Sequence, residues 1–395
     1  MSMSEQISIL KQVVNLPTAP FVEGQVVRYI RKFVSRRPQL RLSTDRFGNL
    51  LVRYAPKRRT RSRGRPILFS AHMDHPGFTA LRMTGERRVY AEFRGWVRSP
   101  YFKNERVQFF SDSAWIRGRI VEVIPHKPGR TMPRRAAASA RSFGADAPPK
   151  AIVAEVRRPV RAGSPGMWGM GDAVVRGNRI FARMCDDTAG LAGILCALDA
   201  ICSQEIPTTC YAFFSRAEEV GFGGTLAAVD RKTVPRDVLV VGVECSKAIA
   251  GVALGGGPVL RVGDKATVFT PAATAYCQVV AEELAAKDKA FAFQRKLMDG
   301  GTCESTAYCH YGYDATGICL PLGNYHNMDE TRGRIGPEYI DVRDFANLVK
   351  WFVALAASPA KMRYDGRHPG LDKRLDSLLR QHRGRLLRTA GSISS

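Results

Sequence analysis

The stretch that decides the fold is Ile67-Leu68-Phe69-Ser70-Ala71-His72-Met73-Asp74, a short apolar run that ends in a histidine and an aspartate. Continuous apolar runs of this length are typical of strands buried on both faces, as in a sheet flanked by helices. Ligands of open α/β sheets collect beyond the carboxyl ends of such strands. The stretch therefore predicts a buried strand that delivers His72 and Asp74 to a functional edge.

Three further apolar runs end in the same way. Residues 210–214 lead to Glu218-Glu219, residues 238–243 end at Glu244, and residues 318–320 are followed by His326. Amphipathic patterns predict helices that would cover these strands, at residues 7–16, 23–34, 189–201, 274–284 and 339–357. Together they predict an α/β fold, with a mixed, mostly parallel sheet flanked by helices.

Residues 79–177 have a different pattern, with short alternating segments, turns between them and no clear helix. This pattern predicts a small all-β, barrel-like domain inserted into the α/β domain. Within it, residues 126–150 are rich in Pro, Arg, Ala and Ser and predict a mobile surface loop. The predicted division is a discontinuous α/β domain of residues 1–78 and 178–360, an inserted β domain of residues 79–177, and a basic C-terminal tail of residues 361–395.

The net charge of +24 is unusual for a chain of 395 residues, and much of it lies in residues 57–65 and 374–388. Such a balance attracts nucleic acid and anionic surfaces without regard to sequence. Aromatic residues are not interleaved with the basic ones as a single-strand platform would need. We expect solvated surface segments that bind nucleic acid only nonspecifically, if at all.

The compartment and the redox state follow from what the sequence lacks. It has no run of eighteen apolar residues, so we expect no membrane span and no membrane partner. Residues 1–12 lack the apolar core and cleavage site of a signal peptide, which predicts a cytoplasmic protein. The nine cysteines are odd in number and form no C-x-x-C pair, so we expect buried, reduced thiols.

The residues at the strand ends are those that zinc and related metals bind, since imidazole nitrogen and carboxylate oxygen are common ligands. His72 is a candidate ligand, and Asp74 behind it would fix the imidazole tautomer. Asp186 precedes a predicted helix and would bridge two metals, which together can activate a water and polarise a carbonyl. In an extended chain Glu218 and Glu219 would point to opposite sides, so that one binds metal and the other faces substrate.

Each candidate has a plainer interpretation when it is taken alone. His72 would be a hydrogen-bonded buried histidine, Asp186 a helix cap, and Glu218-Glu219 a solvated pair. Their joint occurrence at strand ends favours the metal site. The other histidines are predicted to be structural, namely His75, His126, His310, His368 and His382.

The motifs follow one another in a fixed order: Ala71-His72-Met73-Asp74, Cys185-Asp186-Asp187-Thr188-Ala189-Gly190, Ala217-Glu218-Glu219-Val220-Gly221, Val243-Glu244 and Tyr325-His326. In this combination they resemble the co-catalytic two-metal peptidases, and most closely the tetrahedral (glutamyl and deblocking) aminopeptidases. That family also places a β-barrel insert between the first histidine and the bridging aspartate. The resemblance runs from the N-terminal helices to about residue 357.

The resemblance implies two divalent metal ions per chain, with zinc preferred and cobalt or manganese as alternatives. One ion would bind His72, Asp186 and Glu244, and the other Asp186, Glu219 and His326.

The resemblance also implies an activity. Glu218 would be the general base, and Asp74 would support His72. The chain would be an aminopeptidase that hydrolyses the N-terminal residue from peptides through a metal-activated water. It would form a homo-oligomer through its β-rich insert.

Two other functions stay open from the sequence. A carboxypeptidase or N-acyl amino acid deacylase could use the same metal site, but it would need an arginine or similar clamp for a free substrate carboxylate. The inserted domain favours the aminopeptidase. A basic nucleic-acid-binding protein with a vestigial peptidase site is a third possibility, and the presence of every ligand and the base argues against it.

Overall fold

A computed structural model describes residues 1–56, 64–126, 146–358 and 369–390. In chain order the strands are β1 Leu40–Thr44, β2 Leu50–Tyr54, β3 Ile67–His72, β4 Gly77–Gly85, β5 Arg88–Arg94, β6 Arg106–Ser111, β7 Ala114–Ile124, β8 Ala151–Val156, β9 Pro165–Trp168, β10 Val174–Arg176, β11 Arg179–Ala182, β12 Cys210–Ser215, β13 Leu239–Lys247, β14 Val259–Asp264, β15 Gln294–Met298, β16 Asp314–Leu322, β17 Met328–Asp329, β18 Arg334–Ile335 and β19 Glu338–Asp341. The α-helices are α1 Met3–Val13, α2 Gly24–Ser35, α3 Thr188–Ser203, α4 Gly223–Asp230, α5 Pro271–Lys287, α6 Glu304–His310, α7 Val342–Ala357 and α8 Pro369–Ala390.

The main sheet has eight strands in the order β1-β2-β12-β3-β13-β16-β14-β15. The four central strands β12, β3, β13 and β16 are parallel, so their carboxyl ends meet at one edge. Helices cover both faces. Ile67 and Phe69 of β3 pack against the larger apolar layer, and Leu68 packs against the smaller one, because successive strand residues point to opposite faces. The predicted α/β fold is confirmed.

The predicted helix of residues 339–357 is wrong at its start. Glu338–Asp341 forms β19, which pairs with β11, and α7 begins only at Val342. The Asp341 side chain accepts the backbone N–H of Arg343 at 2.8 Å, and this cap fixes the first turn of the helix. Periodicity alone could not separate the strand from the helix because both bury their apolar residues in the same core.

A second core belongs to a closed barrel of six strands in the order β4-β5-β8-β7-β6-β9. Aromatic side chains fill it, with Phe78, Phe102 and Trp168 in mutual contact at centroid distances of 5.1–6.1 Å. The barrel lies in the chain between β3 and β11, next to the segments that carry His72 and Asp186. The predicted domain limits stay a prediction; β10, inside the predicted insert, pairs with β11 outside it.

The remaining expectations concern the cysteines and the surface segments. All nine cysteines are free, and eight of them are buried, as expected for reduced thiols. Within the part of the chain that the structure describes, no helix has the length and apolarity to cross a bilayer. Residues 57–63 of the first basic tract and residues 127–145 of the predicted surface loop lie outside the described residues.

Candidate metal centre

The structure brings all five predicted metal ligands to the edge where the parallel strands end, and all five are buried. His72 ends β3, Glu244 lies on β13, and the others follow β11, β12 and β16 directly. Their ligand atoms form two compact groups, each within 4.8 Å: His72 with Asp186 and Glu244, and Asp186 with Glu219 and His326. A third group joins His72, Glu218 and Glu219.

Asp186 stands between the two histidines. Its Oδ1 lies 3.6 Å from His72 Nε2, and its Oδ2 lies 3.7 Å from His326 Nε2. Glu244 Oε2 lies 3.8 Å from His72 Nε2, and Glu219 Oε2 lies 3.3 Å from His326 Nε2. Each carboxylate oxygen of Asp186 thus faces a different histidine, which is the geometry of a bridging ligand.

Backbone carbonyls orient both imidazoles. His72 Nδ1 lies 3.1 Å from the carbonyl oxygen of Asp74, and His326 Nδ1 lies 2.6 Å from that of Trp96. Donation from each Nδ1–H leaves the Nε2 lone pair facing the carboxylates, as a metal ligand requires. Trp96 follows β5, so the barrel contributes directly to the centre. No sequence motif marks this contact because it uses a main-chain atom.

The backbone at Glu218 and Glu219 is not extended, so the prediction that rested on an extended chain at this pair is wrong. Glu218–Val220 is a single 3-10 turn, and Ala217 before it has a left-handed φ of 53° that reverses the chain. The carboxylate of Asp74 accepts the backbone N–H of Glu218 at 3.0 Å and that of Glu219 at 3.1 Å. Asp74 therefore clamps this turn, while its Oδ1 stays 3.7 Å from His72 Nδ1.

Glu338, which no sequence pattern had indicated, ties the two halves of the centre together. This buried carboxylate accepts the backbone N–H groups of Cys185 at 2.6 Å, Asp186 at 3.1 Å and His326 at 2.8 Å. His75, predicted to be structural, makes a similar support, with Nδ1 2.7 Å from the carbonyl oxygen of Asp186. Nothing in the local sequence marks Glu338, because its partners lie far from it along the chain or are main-chain atoms.

The donor set fits divalent cations. Oδ1 of Asp186 and Oε1 of Glu219 are buried and have no hydrogen-bond partner among the described residues. Burial raises the pKa of Glu244 to about 7, and burial together with neighbouring carboxylates raises the pKa of Glu219 well above its usual range. Buried carboxylates without a countercharge are costly. Imidazoles and carboxylates in this arrangement suit zinc and related ions, which would supply that charge.

We expect the free energy of unfolding of chelator-treated protein to fall between about pH 5 and pH 8. Carboxyls with a raised folded pKa bind more protons in the folded state, so their contribution is present below the ordinary value of 4.5 and is lost as the pH rises through about 7. Bound cations favour the ionised ligands, so the metal-loaded protein should not show this fall. Thermal unfolding with and without chelator across this range measures it, and parallel curves would contradict the metal centre.

Two connected pockets adjoin the centre. A small one of about 80 Å³ is lined by Glu218, Glu244, Lys247 and Arg261. A larger cleft of about 600 Å³ shares Glu218, Glu219 and His326 with it and extends past Trp96 and Phe222. The candidate metal ligands therefore stand where a small recess meets a wider groove.

Arg261 is a buried cation on the wall of the small pocket. It lies on β14 and is only 3% exposed. Its Nη1 donates to Ser246 Oγ at 3.1 Å, and its Nε has no hydrogen-bond partner among the described residues. Lys247 stands at the same pocket, half-exposed, with its Nζ 2.8 Å from Glu330. The recess is thus lined both by candidate metal ligands and by positive charge. The sequence alone had given no means of choosing Arg261 and Lys247 among its many basic residues.

Comparisons with known proteins agree with this geometry. A model of the M42 glutamyl aminopeptidase family matches residues 48–347. The TET1 peptidase of Pyrococcus horikoshii is similar in structure, with a TM-score of 0.68 and 18% identity over 90% of this chain and 100% of that one. An aminopeptidase from the archaeon Desulfurococcus kamchatkensis has a TM-score of 0.69 and 20% identity over 90% and 95% of the two chains. At these identities the structural matches support the fold alone.

Proposed function

Because the chain belongs to the M42 glutamyl aminopeptidase family, we propose that it removes acidic residues from the N-termini of peptides. Family membership makes it a metal-dependent aminopeptidase, a hydrolase of peptide bonds. The acidic preference rests on one observation, the buried cation Arg261 on the wall of the small pocket. The description of the family as glutamyl aminopeptidases supports the same preference.

The proposed centre holds two divalent ions, of which zinc suits the ligands best and cobalt or manganese are alternatives. Its ligands are His72, Asp186 and Glu244 for one ion, and Asp186, Glu219 and His326 for the other. When bound, the two ions supply Lewis acidity to a water and to the scissile carbonyl.

The proton transfers fall to Glu218. It belongs to neither proposed ligand set, yet its Oε2 lies 3.9 Å from His72 Nε2, at the edge of the centre. In this position its carboxylate accepts a proton from the attacking water and returns it to the leaving amine. Asp74 holds the backbone of this turn and so fixes where the carboxylate acts. The cleft beyond Trp96 and Phe222 accommodates the rest of the peptide.

The acidic side chain of the N-terminal residue would enter the small pocket. A guanidinium offers several donors in a fixed plane and suits a carboxylate well. The hydrogen bond of Arg261 to Ser246 uses only Nη1, which leaves the rest of the guanidinium for a substrate carboxylate. Lys247 adds a second positive charge at the pocket edge. An aliphatic side chain would leave this buried donor unpaired, which makes such a substrate poorer.

Arg261→Gln tests this preference. We expect kcat/KM for a glutamyl reporter to fall about tenfold to a hundredfold, the loss typical of a charged hydrogen bond, while a leucyl reporter changes little. Steady-state assays on glutamyl, leucyl and N-acetyl-glutamyl reporters measure it, with Lys265→Gln in the larger cleft as the control. Equal losses on both aminoacyl reporters would mean that Arg261 only offsets the charge of Glu244. Cleavage of the N-acetylated reporter alone would support the deacylase.

We also propose that the chain forms a homo-oligomer. The TET1 peptidase of Pyrococcus horikoshii can assemble into a tetrahedron or a large octahedral shell. The β-barrel insert, which the resemblance implies as the assembly domain, is present here as a closed barrel. Light scattering at micromolar concentration should give a mass several times that of the 43.6 kDa chain. A monomer mass would contradict the proposal.

A further inference from the structure

The C-terminal helix α8, Pro369–Ala390, presents a leucine face to solvent. Leu371, Leu375, Leu378 and Leu379 are 41–59% exposed, a large fraction for apolar side chains. Their spacing of i, i+4, i+7 and i+8 places them on one side of the helix. The aminopeptidase site does not account for this surface, which we call the leucine face.

Basic residues lie on both sides of the leucine face and opposite it, and two aspartates lie on one flank. At 3.6 residues per turn, Arg374 and Arg383 flank it at roughly 90° on either side, and Lys373 and Arg380 lie opposite. The helix carries six Lys and Arg residues and two Asp residues, in a chain whose net charge is +24. Its side chains thus combine an apolar strip with a remainder in which six positive charges stand against two negative ones and which also contains the exposed Leu387.

We propose that α8 binds the surface of an anionic lipid bilayer. A helix with leucines on one side and Lys and Arg on the other lies in the membrane interface, with its apolar face among the acyl chains and its basic residues at the headgroups. Arginines that flank the apolar face, as Arg374 and Arg383 do, stand at headgroup height in this orientation. Anionic lipids attract such basic segments electrostatically.

Two other occupants match the helix less well. A nucleic acid duplex would contact the basic side and leave the leucine face in water, and α8 has no Phe, Tyr or Trp to stack on bases. A second copy of α8 would cover the leucines, but it would bring two strongly positive helices together at the cost of charge repulsion. An anionic bilayer satisfies both the apolar and the charged side at once.

Co-sedimentation of the full chain with vesicles tests the proposal. We expect binding to phosphatidylcholine vesicles that contain about one-third phosphatidylglycerol, and little binding to phosphatidylcholine alone. Leu375→Gln with Leu379→Gln removes half of the leucine face while keeping good helix formers. Arg374→Gln with Arg383→Gln removes the two positive charges that flank the leucine face. Each pair should weaken binding at least about tenfold, since apolar burial and charge both contribute.

Matched controls come from exposed positions elsewhere. Leu81→Gln with Val268→Gln alters two exposed apolar residues, and Arg87→Gln with Arg88→Gln alters two exposed charges; neither pair should change vesicle binding. No sedimentation with anionic vesicles, or undiminished binding by the leucine variant, would overturn the proposal. A leucine variant that changes only the mass in light scattering would identify a second copy as the occupant. Binding to duplex DNA but not to vesicles would identify nucleic acid.

Discussion

Glu218→Gln is expected to lower kcat about a hundredfold to ten-thousandfold, the usual contribution of a general base, while two metal ions stay bound. The amide keeps the size of the side chain but cannot accept the proton of the attacking water. The turn itself should survive, because Asp74 holds it through the backbone N–H groups of Glu218 and Glu219 rather than through their side chains. Turnover on a glutamyl reporter and metal content by elemental analysis measure the two effects.

Glu219→Gln is the companion of this experiment and should behave differently. Glu219 Oε2 lies 3.3 Å from His326 Nε2, inside the second ligand group, so its loss should lower metal content. Glu86→Gln, an exposed glutamate on the barrel, serves as the control for the substitution itself. If Glu218→Gln loses metal and Glu219→Gln loses only rate, the two roles are exchanged. Full activity in both variants would contradict the proposed active site.

Glu338→Gln is expected to weaken metal binding about tenfold to a hundredfold, the usual effect of removing a support behind the ligands. The carboxylate accepts three backbone N–H groups, from Cys185, Asp186 and His326. An amide has only one oxygen, so at least one buried N–H would face the NH2 group instead. Each unpaired donor costs about 1–3 kcal/mol of stability. Metal titration against a competing chelator and thermal unfolding measure both effects.

Asp344→Asn is the matched control for this change. Asp344 is also a buried carboxylate, and it accepts the backbone N–H groups of Gly255 and Gly257, each at 2.7 Å, away from the metal ligands. Its change to Asn should lower the free energy of unfolding without changing metal affinity. If both variants lose stability alike and neither loses metal affinity, Glu338 has a structural role only.

The sequence predicted the main sheet well because strands buried on both faces leave a local apolar pattern. A buried strand such as Ile67–His72 is apolar along most of its length, and the polar residue at its end marks the edge where the candidate site lies. The five candidate ligands could therefore be chosen from the amino-acid sequence alone, namely His72, Asp186, Glu219, Glu244 and His326. Their assignment as ligands stays a prediction until metal binding is measured, although the fold brings them within reach of two ions.

Other features followed from contacts that the sequence does not display. The prediction that the Glu218 and Glu219 side chains alternate along an extended chain was wrong, because Ala217 takes a left-handed φ and turns the chain. The predicted start of α7 was wrong because residues 338–341 form a strand that pairs with β11, and Asp341 caps the helix that follows. In both places a backbone conformation or a distant strand decided the outcome over local periodicity.

By itself, the sequence determined the α/β class, the presence of an inserted β module and the residue types at the strand ends, since these depend on hydrophobic pattern and on chemistry carried by single residues. Only the tertiary structure decided which groups support that chemistry. The Trp96 carbonyl holds His326, Asp74 holds the glutamate turn, and Glu338 holds Asp186 and His326 together. These contacts use main-chain atoms and join residues up to 230 positions apart, so no local pattern of side chains encodes them.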